Sequence, residues 1–283
     1  MSGERFAVIG DPIDHSLSPA MQEAAFRSAG IEATYEAIHL RPENLRRGVE
    51  ALRAAGYRGF NVTVPHKETV AALVDGLAPS AARARAVNTV VRRGGALEGH
   101  NTDGHGFVET LRVHGIQVGG ERVVVFGAGG SARAIVHALA GLGAGVVLVN
   151  RTEARARELA REVGGRASVL RRDAPGLRDA VLSARLVINT TSLGLGELNG
   201  ESPLPAGVEL PPTAVAFDLV YGSVTPFLRR AAAGGCRTLD GLEMLVQQGA
   251  ESFRLWTGGE PDLDAMRHAC RRELVRREQC FAS

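Results

Sequence analysis

The chain has 283 residues, enough for one large or two medium domains. Hydrophobic residues make up 45% and charged residues 23%, the ordinary globular range, which excludes a disordered or low-complexity chain. A formal net charge of +2, with no basic run interleaved with aromatics, speaks against nucleic acid as a partner.

Strand-like and helix-like segments alternate from the start, which predicts an α/β protein. Residues 5–10 read as a strand, met almost at once, with no charged and apolar leader before it; a cytoplasmic location is the expectation. Residues 18–29 read as a helix with Ser18 as N-cap and Pro19 at the first helical position. Residues 34–39 follow as a strand, 42–54 as a helix, and 59–64 as a third strand leading into a helix that opens at Pro65. Residues 87–91 and the turn at Arg93-Gly94-Gly95 suggest a hairpin before a helix at 103–114. Residues 114–120 read as a loop, and the pattern then restarts: strand 122–126, glycine turn, helix 131–142, strand 146–149, helix 153–163. Later strands are expected at 186–189 and 214–219, an exposed Pro- and Gly-rich loop at 194–212, and helical periodicity from about Gly241. The apolar stretches 123–126 and 146–149 fall far short of a membrane span. Cys236, Cys270 and Cys280 lie far apart without C-x-x-C spacing, so isolated thiols are expected rather than a disulfide framework.

Val123-Val124-Val125-Phe126 runs into Gly127-Ala128-Gly129-Gly130-Ser131-Ala132, a buried strand followed by G-x-G-x-x-A at a helix start. Gly127 permits the tight turn, Gly129 lets backbone approach a pyrophosphate, and Ala132 allows close helix–strand contact. The end of the next strand selects the dinucleotide. NAD sites place a carboxylate there for the ribose 2′-hydroxyl, whereas this chain has Asn150-Arg151-Thr152, with Arg155 one turn on. A cation in place of the carboxylate favours a 2′-phosphate, so NADP is the expected cofactor.

Basic side chains supply a second signal. Of 33 Lys plus Arg residues, Lys67 alone is lysine. An ammonium can release its proton near neutral pH and a guanidinium cannot. Lys67 follows Asn61-Val62-Thr63-Val64-Pro65-His66, with Asn61 and Thr63 on one face of a strand end. In a first helical turn it opposes the helix dipole and calls for a carboxylate partner. Asn101-Thr102-Asp103-Gly104 offers one at the next helix start. His15-Ser16-Leu17-Ser18-Pro19 sets two hydroxyls at the positive end of a helix, suited to a substrate carboxylate, although taken alone N-capping is the commoner explanation of Ser18. His15 and His66 are expected to order or pack their loops. His100, His105 and His114 have no partner at metal-ligand spacing, and no metal is expected.

H-S-x-S-P at 15–19, N-V-T-V-P-H-K at 61–67, A-V-N-T at 86–89, N-T-D-G at 101–104, G-A-G-G-S-A at 127–132, N-R-T at 150–152 and M-L-V-x-Q at 244–248 together resemble shikimate dehydrogenases, in order and over nearly the whole chain. That resemblance implies NADPH-dependent reduction of 3-dehydroshikimate to shikimate in the chorismate route to aromatic amino acids. It implies a substrate-binding and catalytic domain at 1–103, a Rossmann-type NADP domain at 104–240, and C-terminal helices at 241–283 packing back on the first. Hinges are expected near 103–106 and 240–241.

By the same resemblance Lys67 and Asp103 form the catalytic pair, and Ser16 and Ser18 bind the carboxylate. Thr63, Asn88 and Gln248 contact ring hydroxyls, and Tyr221 lies near substrate and nicotinamide. Thr190, Leu195, Leu219 and Gly241 join the glycine turn, Asn150, Arg151, Thr152 and Arg155 on the cofactor side. Two departures bear on nicotinamide positioning. Leu195 stands where many relatives have methionine, and Gly222-Ser223-Val224-Thr225-Pro226 lacks the usual proline two residues after the tyrosine. Alternatives are a quinate/shikimate or aminoshikimate dehydrogenase, or a non-catalytic cofactor-binding relative. The partner is a small molecule, with no membrane, and a homodimer is the expected assembly.

Overall fold

The computed structural model describes residues 3–281, apart from the side chains of Glu197, Cys280 and Phe281, so the thiol of Cys280 lies outside the described residues. Two units partition the chain. One runs to Glu109 and resumes at Leu245; the other is Thr110–Met244. Both crossings fall inside helices, Asp103–Val113 and Leu242–Thr257. Among the described residues no helix is long and apolar enough to cross a membrane.

The first unit begins β1 (Glu4–Gly10), α1 (Ser18–Ser28), β2 (Ala33–His39), α2 (Leu45–Ala54), β3 (Gly59–Val62) and α3 (Lys67–Val70). It continues β4 (Gly76–Leu77), α4 (Pro79–Ala84), β5 (Thr89–Arg93), β6 (Ala96–His100) and α5 (Asp103–Val113). Its sheet has the order β2-β1-β3-β5-β6-β4. β1 pairs in parallel with β2 and β3, and the hairpin β5–β6 joins β3 antiparallel. Ala7, Ile9, Phe60, Val62 and Val90 bury one layer against Leu45, Val49 and Leu52 of α2.

Four expectations change here. Ser18 is the first helical residue of α1, not its N-cap; Leu17 holds that place, and the Ser16 hydroxyl accepts from the Ser18 N–H at 3.2 Å. The helix at 42–54 opens with a 3-10 turn, Pro42–Asn44. The third strand stops at Val62 rather than 64, because the His66 N–H turns back to the Thr63 carbonyl at 2.9 Å. Its following helix therefore opens at Lys67, not at Pro65.

The second unit runs β7 (Arg122–Phe126), α6 (Gly130–Gly141), β8 (Gly145–Val149), α7 (Glu153–Glu162), β9 (Ala167–Leu170), α8 (Gly176–Leu182), β10 (Leu186–Asn189), β11 (Val215–Asp218), α9 (Pro226–Ala233) and β12 (Arg237–Leu239). All its strand pairs are parallel, in the order β12-β11-β10-β7-β8-β9. That is the doubly wound dinucleotide-binding order, with the switch point between β7 and β10. β7 is buried on both faces, which is why it reads as an unbroken valine run. The segment 194–212 is not wholly exposed: Leu204 and Leu210 are buried with Leu177, Phe227 and Cys236. Apolar side chains spaced among prolines and glycines pin this loop without giving it a periodic signature.

The chain closes with α10 (Leu242–Thr257) and α11 (Leu263–Phe281). α11 packs on α1. Phe253 and Trp256 of α10 complete an aromatic cluster with Phe6, Phe26 and Tyr35, and the indole N–H donates to the Val90 carbonyl at 3.0 Å. These contacts set α10 over the first sheet and fix where Gln248 stands. α5 crosses it closely at Gly106, where a Cβ would meet the Gln248 backbone at 2.7 Å.

Candidate active site

Strand β5, the loop before α5, α3 and α10 bring polar groups together in the first unit. Lys67 donates from Nζ to Asp103 Oδ2 at 2.6 Å. Its side chain is 13% exposed and that of Asp103 5%, so the pair is largely sheltered from water while the ammonium keeps a route out. The other carboxylate oxygen, Asp103 Oδ1, accepts from Asn88 Nδ2 at 2.9 Å. Asn88 also donates to Thr102 Oγ1 at 2.9 Å and to Gln248 Oε1 at 3.2 Å. Asn88, Lys67, Asp103 and Gln248, predicted from sequence, thus form one connected cluster.

Ser16 and Ser18 stand at the start of α1, and the Ser16 carbonyl accepts from Arg277 of α11 at 3.0 Å. Ser18 is buried; Ser16 and Thr63 are half-buried. Asn61 is buried and engaged with protein. Its Oδ1 accepts from the Tyr35 hydroxyl at 2.7 Å, and its Nδ2 faces the Asn88 carbonyl, Thr89 Oγ1 and Ser252 Oγ, each at 3.0 Å. Burial holds the Tyr35 phenol well above the ordinary tyrosine range, with the Ser18 hydroxyl acting weakly against it, so Tyr35 is a neutral donor here.

Sequence reasoning overlooked Tyr35, Thr89, Ser252 and Arg277. Thr89 closes a motif already noted, and Ser252 lies one helical turn after Gln248. Nothing in the local sequence marks Tyr35 or Arg277. His66 is buried with Nε2 2.6 Å from the Leu40 carbonyl, and His15 is exposed. Among the described residues no cluster of His, Cys, Asp or Glu could hold a metal ion. Burial pushes the Cys270 thiol up to about 12, far from reactive thiolate.

In the second unit β7 ends in the glycine turn. Gly127 has φ +115°, outside the range of ordinary L-residues, and a Cβ there would lie 2.1 Å from Thr190 Oγ1. Thr190 itself donates to the Phe126 carbonyl at 2.7 Å. Gly129 is the N-cap of α6, with no side chain to cap it, and a Cβ on Gly129 would meet open space. This leaves a cradle of backbone at a helix start, which fits a dinucleotide pyrophosphate. Ala128 and Ala132 are buried behind it, and Gly130 and Ser131 are half-buried. Past β8 the Asn150 amide donates to the Thr152 carbonyl at 2.8 Å, tightening the turn that presents Arg151; Arg151, Thr152 and Arg155 are exposed. These cations suit the extra phosphate of NADP.

Around β10 and β11 stand the other residues expected on the cofactor side. Leu195 is 48% exposed, and Tyr221 and Leu219 are half-buried. Gly241 lies against Leu219, where a Cβ would meet the carbonyl oxygen at 2.1 Å. Within the departing stretch Gly222–Pro226, Thr225 N-caps α9 and also donates to Asp218 Oδ2 at 2.7 Å.

Burial raises the Asp218 carboxyl to about 6, against hydrogen bonds from Thr225, Val220 and Asn189. The folded chain holds this proton more tightly than the unfolded chain. The group's contribution to stability is therefore fully present below the unfolded value and lost as pH rises through about 6. Relative to wild type, Asp218→Asn is expected to gain about 3 kcal/mol between about pH 4 and pH 7. Urea unfolding at both pH values checks this; a pH-independent difference would contradict it.

A doubly wound parallel unit with an open glycine cradle, joined to a second α/β unit carrying a sheltered lysine–carboxylate pair, defines the class: a two-domain, dinucleotide-dependent dehydrogenase. Comparison with known proteins is more specific. The shikimate dehydrogenase substrate binding domain matches residues 8–90, shikimate / quinate 5-dehydrogenase matches 111–194, and the shikimate 5′-dehydrogenase C-terminal domain matches 241–271. A shikimate dehydrogenase (NADP(+)) of Moorella thermoacetica is 44% identical over 274 residues, covering 95% of this chain and 92% of that one. Shikimate 5-dehydrogenase from Thermus thermophilus, solved in complex with NADP(H) and shikimate, is 45% identical with a TM-score of 0.85, covering 95% and 99%. Quinate dehydrogenase from Corynebacterium glutamicum, solved in complex with NAD, is 30% identical with a TM-score of 0.83, covering 94% and 98%. The chain belongs to the shikimate dehydrogenase family.

Proposed function

We propose that the chain catalyses the reversible, NADP-dependent reduction of 3-dehydroshikimate to shikimate in the chorismate route to aromatic amino acids. The observation that carries this is the sheltered Lys67–Asp103 pair, fixed by Asn88 beside Gln248. Ser16 and Ser18 at the start of α1 take the substrate carboxylate, where hydroxyls and helix N–H groups favour an anion. Thr63, Asn88 and Gln248 orient the ring hydroxyls, and Tyr221 is assigned to substrate binding as well. NADPH, when bound, supplies the hydride. Lys67, as the ammonium, donates a proton to the ketone oxygen as charge develops there, and Asp103 keeps the ammonium aimed. In the reverse direction neutral Lys67 accepts the proton of the shikimate hydroxyl.

Residues 1–103, with the helices of 241–283, take the substrate role, and residues 104–240 the NADP role. Gly127–Ala132 would hold the pyrophosphate. Asn150, Arg151, Thr152 and Arg155 would hold the adenosine phosphate end, with Thr190, Leu195, Leu219 and Gly241 toward the nicotinamide. The reading extends to a cytoplasmic enzyme that is a homodimer, the latter checked by light scattering.

The test is a substrate panel of shikimate, quinate and aminoshikimate with NADP and NAD, followed by the absorbance of the reduced nicotinamide. Turnover with shikimate and NADP well above every other pair is the expected result; faster turnover of quinate or aminoshikimate overturns the assignment. Arg151→Asp should lower the preference for NADP over NAD by roughly 10- to 100-fold, the range for losing a charge-assisted contact and adding repulsion.

A further inference from the structure

The orientation of the Asn88 amide decides what Asp103 meets. With Nδ2 toward Asp103 Oδ1 the contact is a hydrogen bond; a flipped amide would set a carbonyl oxygen against a carboxylate. Asn88 Oδ1 is held on the other side by two donors, the Thr102 N–H at 2.8 Å and the Thr89 hydroxyl at 3.0 Å. Thr89 Oγ1 donates to Asn88 Oδ1 and accepts from Asn61 Nδ2 at 3.0 Å, and in its 2.8 Å contact with Ser252 Oγ either hydroxyl can supply the proton. Ser252 Oγ also accepts from Asn61 Nδ2 at 3.0 Å, and its one proton serves either Thr89 Oγ1 or the Gln248 carbonyl at 3.1 Å, within the same helix that carries Gln248. Thr89 and Ser252 are both fully buried, so these hydroxyls meet protein and no solvent.

We propose that Thr89 and Ser252 are positioning residues: their paired hydroxyls lock the Asn88 amide so that it donates to Asp103, and so hold the Asp103 carboxylate on Lys67. The proposal rests on the assignment of Lys67 and Asp103 given above, but one of its readouts needs no substrate. Neither residue touches the reacting atoms. Their effect passes through Asn88, and α10 thereby joins the alignment of the proton donor as well as that of Gln248.

Thr89→Val keeps the shape of the side chain and removes the hydroxyl; Thr89→Ser keeps the hydroxyl and trims a methyl. For Thr89→Val, kcat with shikimate should fall about tenfold, the scale of one buried hydrogen bond, while the KM for NADP stays unchanged. Thr89→Ser should stay within about twofold of wild type, and Ser252→Ala should move in the same direction as Thr89→Val. The single lysine adds a direct reporter, because protein grown on isotope-labelled lysine gives one side-chain resonance, that of Lys67. That resonance should shift in Thr89→Val and Ser252→Ala and return to its wild-type position in Thr89→Ser. An unmoved resonance in both hydroxyl-deleted variants overturns the proposal, and so does a Thr89→Ser enzyme as impaired as Thr89→Val, which would assign Thr89 to packing. A wild-type chain inactive on shikimate would instead overturn the assigned reaction, leaving the resonance to decide the positioning role.

Discussion

Lys67→Ala should lower kcat by about 10²–10³ while leaving shikimate binding nearly unchanged, the signature of a donor that acts on charge developing in the transition state. The ground-state ketone needs no proton; the forming alkoxide does. Among the 33 Lys and Arg side chains of the sequence, Lys67 is the one ammonium, and unlike a guanidinium it can both give and regain a proton. Lys67→Arg should therefore fail to restore turnover, although it restores a positive charge beside Asp103. Removing the ammonium also leaves a carboxylate that is 5% exposed without its cation. Breaking such a sheltered pair costs about 3–5 kcal/mol where no other group compensates, and the Asn88 amide compensates in part. Turnover should accordingly be read with a thermal unfolding curve and with shikimate affinity by calorimetry. Wild-type kcat in Lys67→Ala would remove it from the proton-transfer step.

Gly127→Ala is the second large effect, and it strikes stability and cofactor binding together. The backbone there has φ +115°, a region that costs an L-residue about 1–3 kcal/mol. The new methyl would also sit 2.1 Å from Thr190 Oγ1, whose hydroxyl already donates to the Phe126 carbonyl. Thr190 cannot yield without giving up that bond at the end of β7. A loss of about 3 kcal/mol in unfolding free energy is expected, with NADP affinity weakened at least tenfold because the turn before α6 must shift. Gly129→Ala supplies the contrast: it meets no protein atom, so the folded chain should tolerate it, while on the proposed function its methyl would intrude on the pyrophosphate. Equal stability losses in the two variants would argue against this account.

Local chemistry explains which features could be read from the chain alone. β7, the glycine turn and β8 are legible because a doubly buried strand must be an apolar run and the turn after it must be glycine-rich. Lys67 and Asp103 are legible because each opens a helix and their charges demand one another. The short strands β9 and β12 and the helices α8 and α9 carry too few residues for a period to emerge. Ser18 reads as an N-cap because its residue type suits one; Ser16 accepts instead, a turn detail invisible to composition. The network behind Asn88 draws on residues 35, 61, 89 and 252, whose proximity is a product of the sheet order and of where Trp256 seats α10. No spacing rule links them.

The division of the chain sets an order of events at the ribosome. Gln248, Ser252, Trp256 and Arg277 belong to the unit that also contains β1, so the part synthesised first lacks essential pieces until the last is made. The Thr110–Met244 unit, continuous in sequence, has all its strands in hand earlier. A chain broken off within α10 would thus present a finished dinucleotide fold beside an unfinished partner, one able to sequester NADP without turning it over. On the proposed function, the C-terminal helices complete the substrate-binding unit, and turnover waits for them.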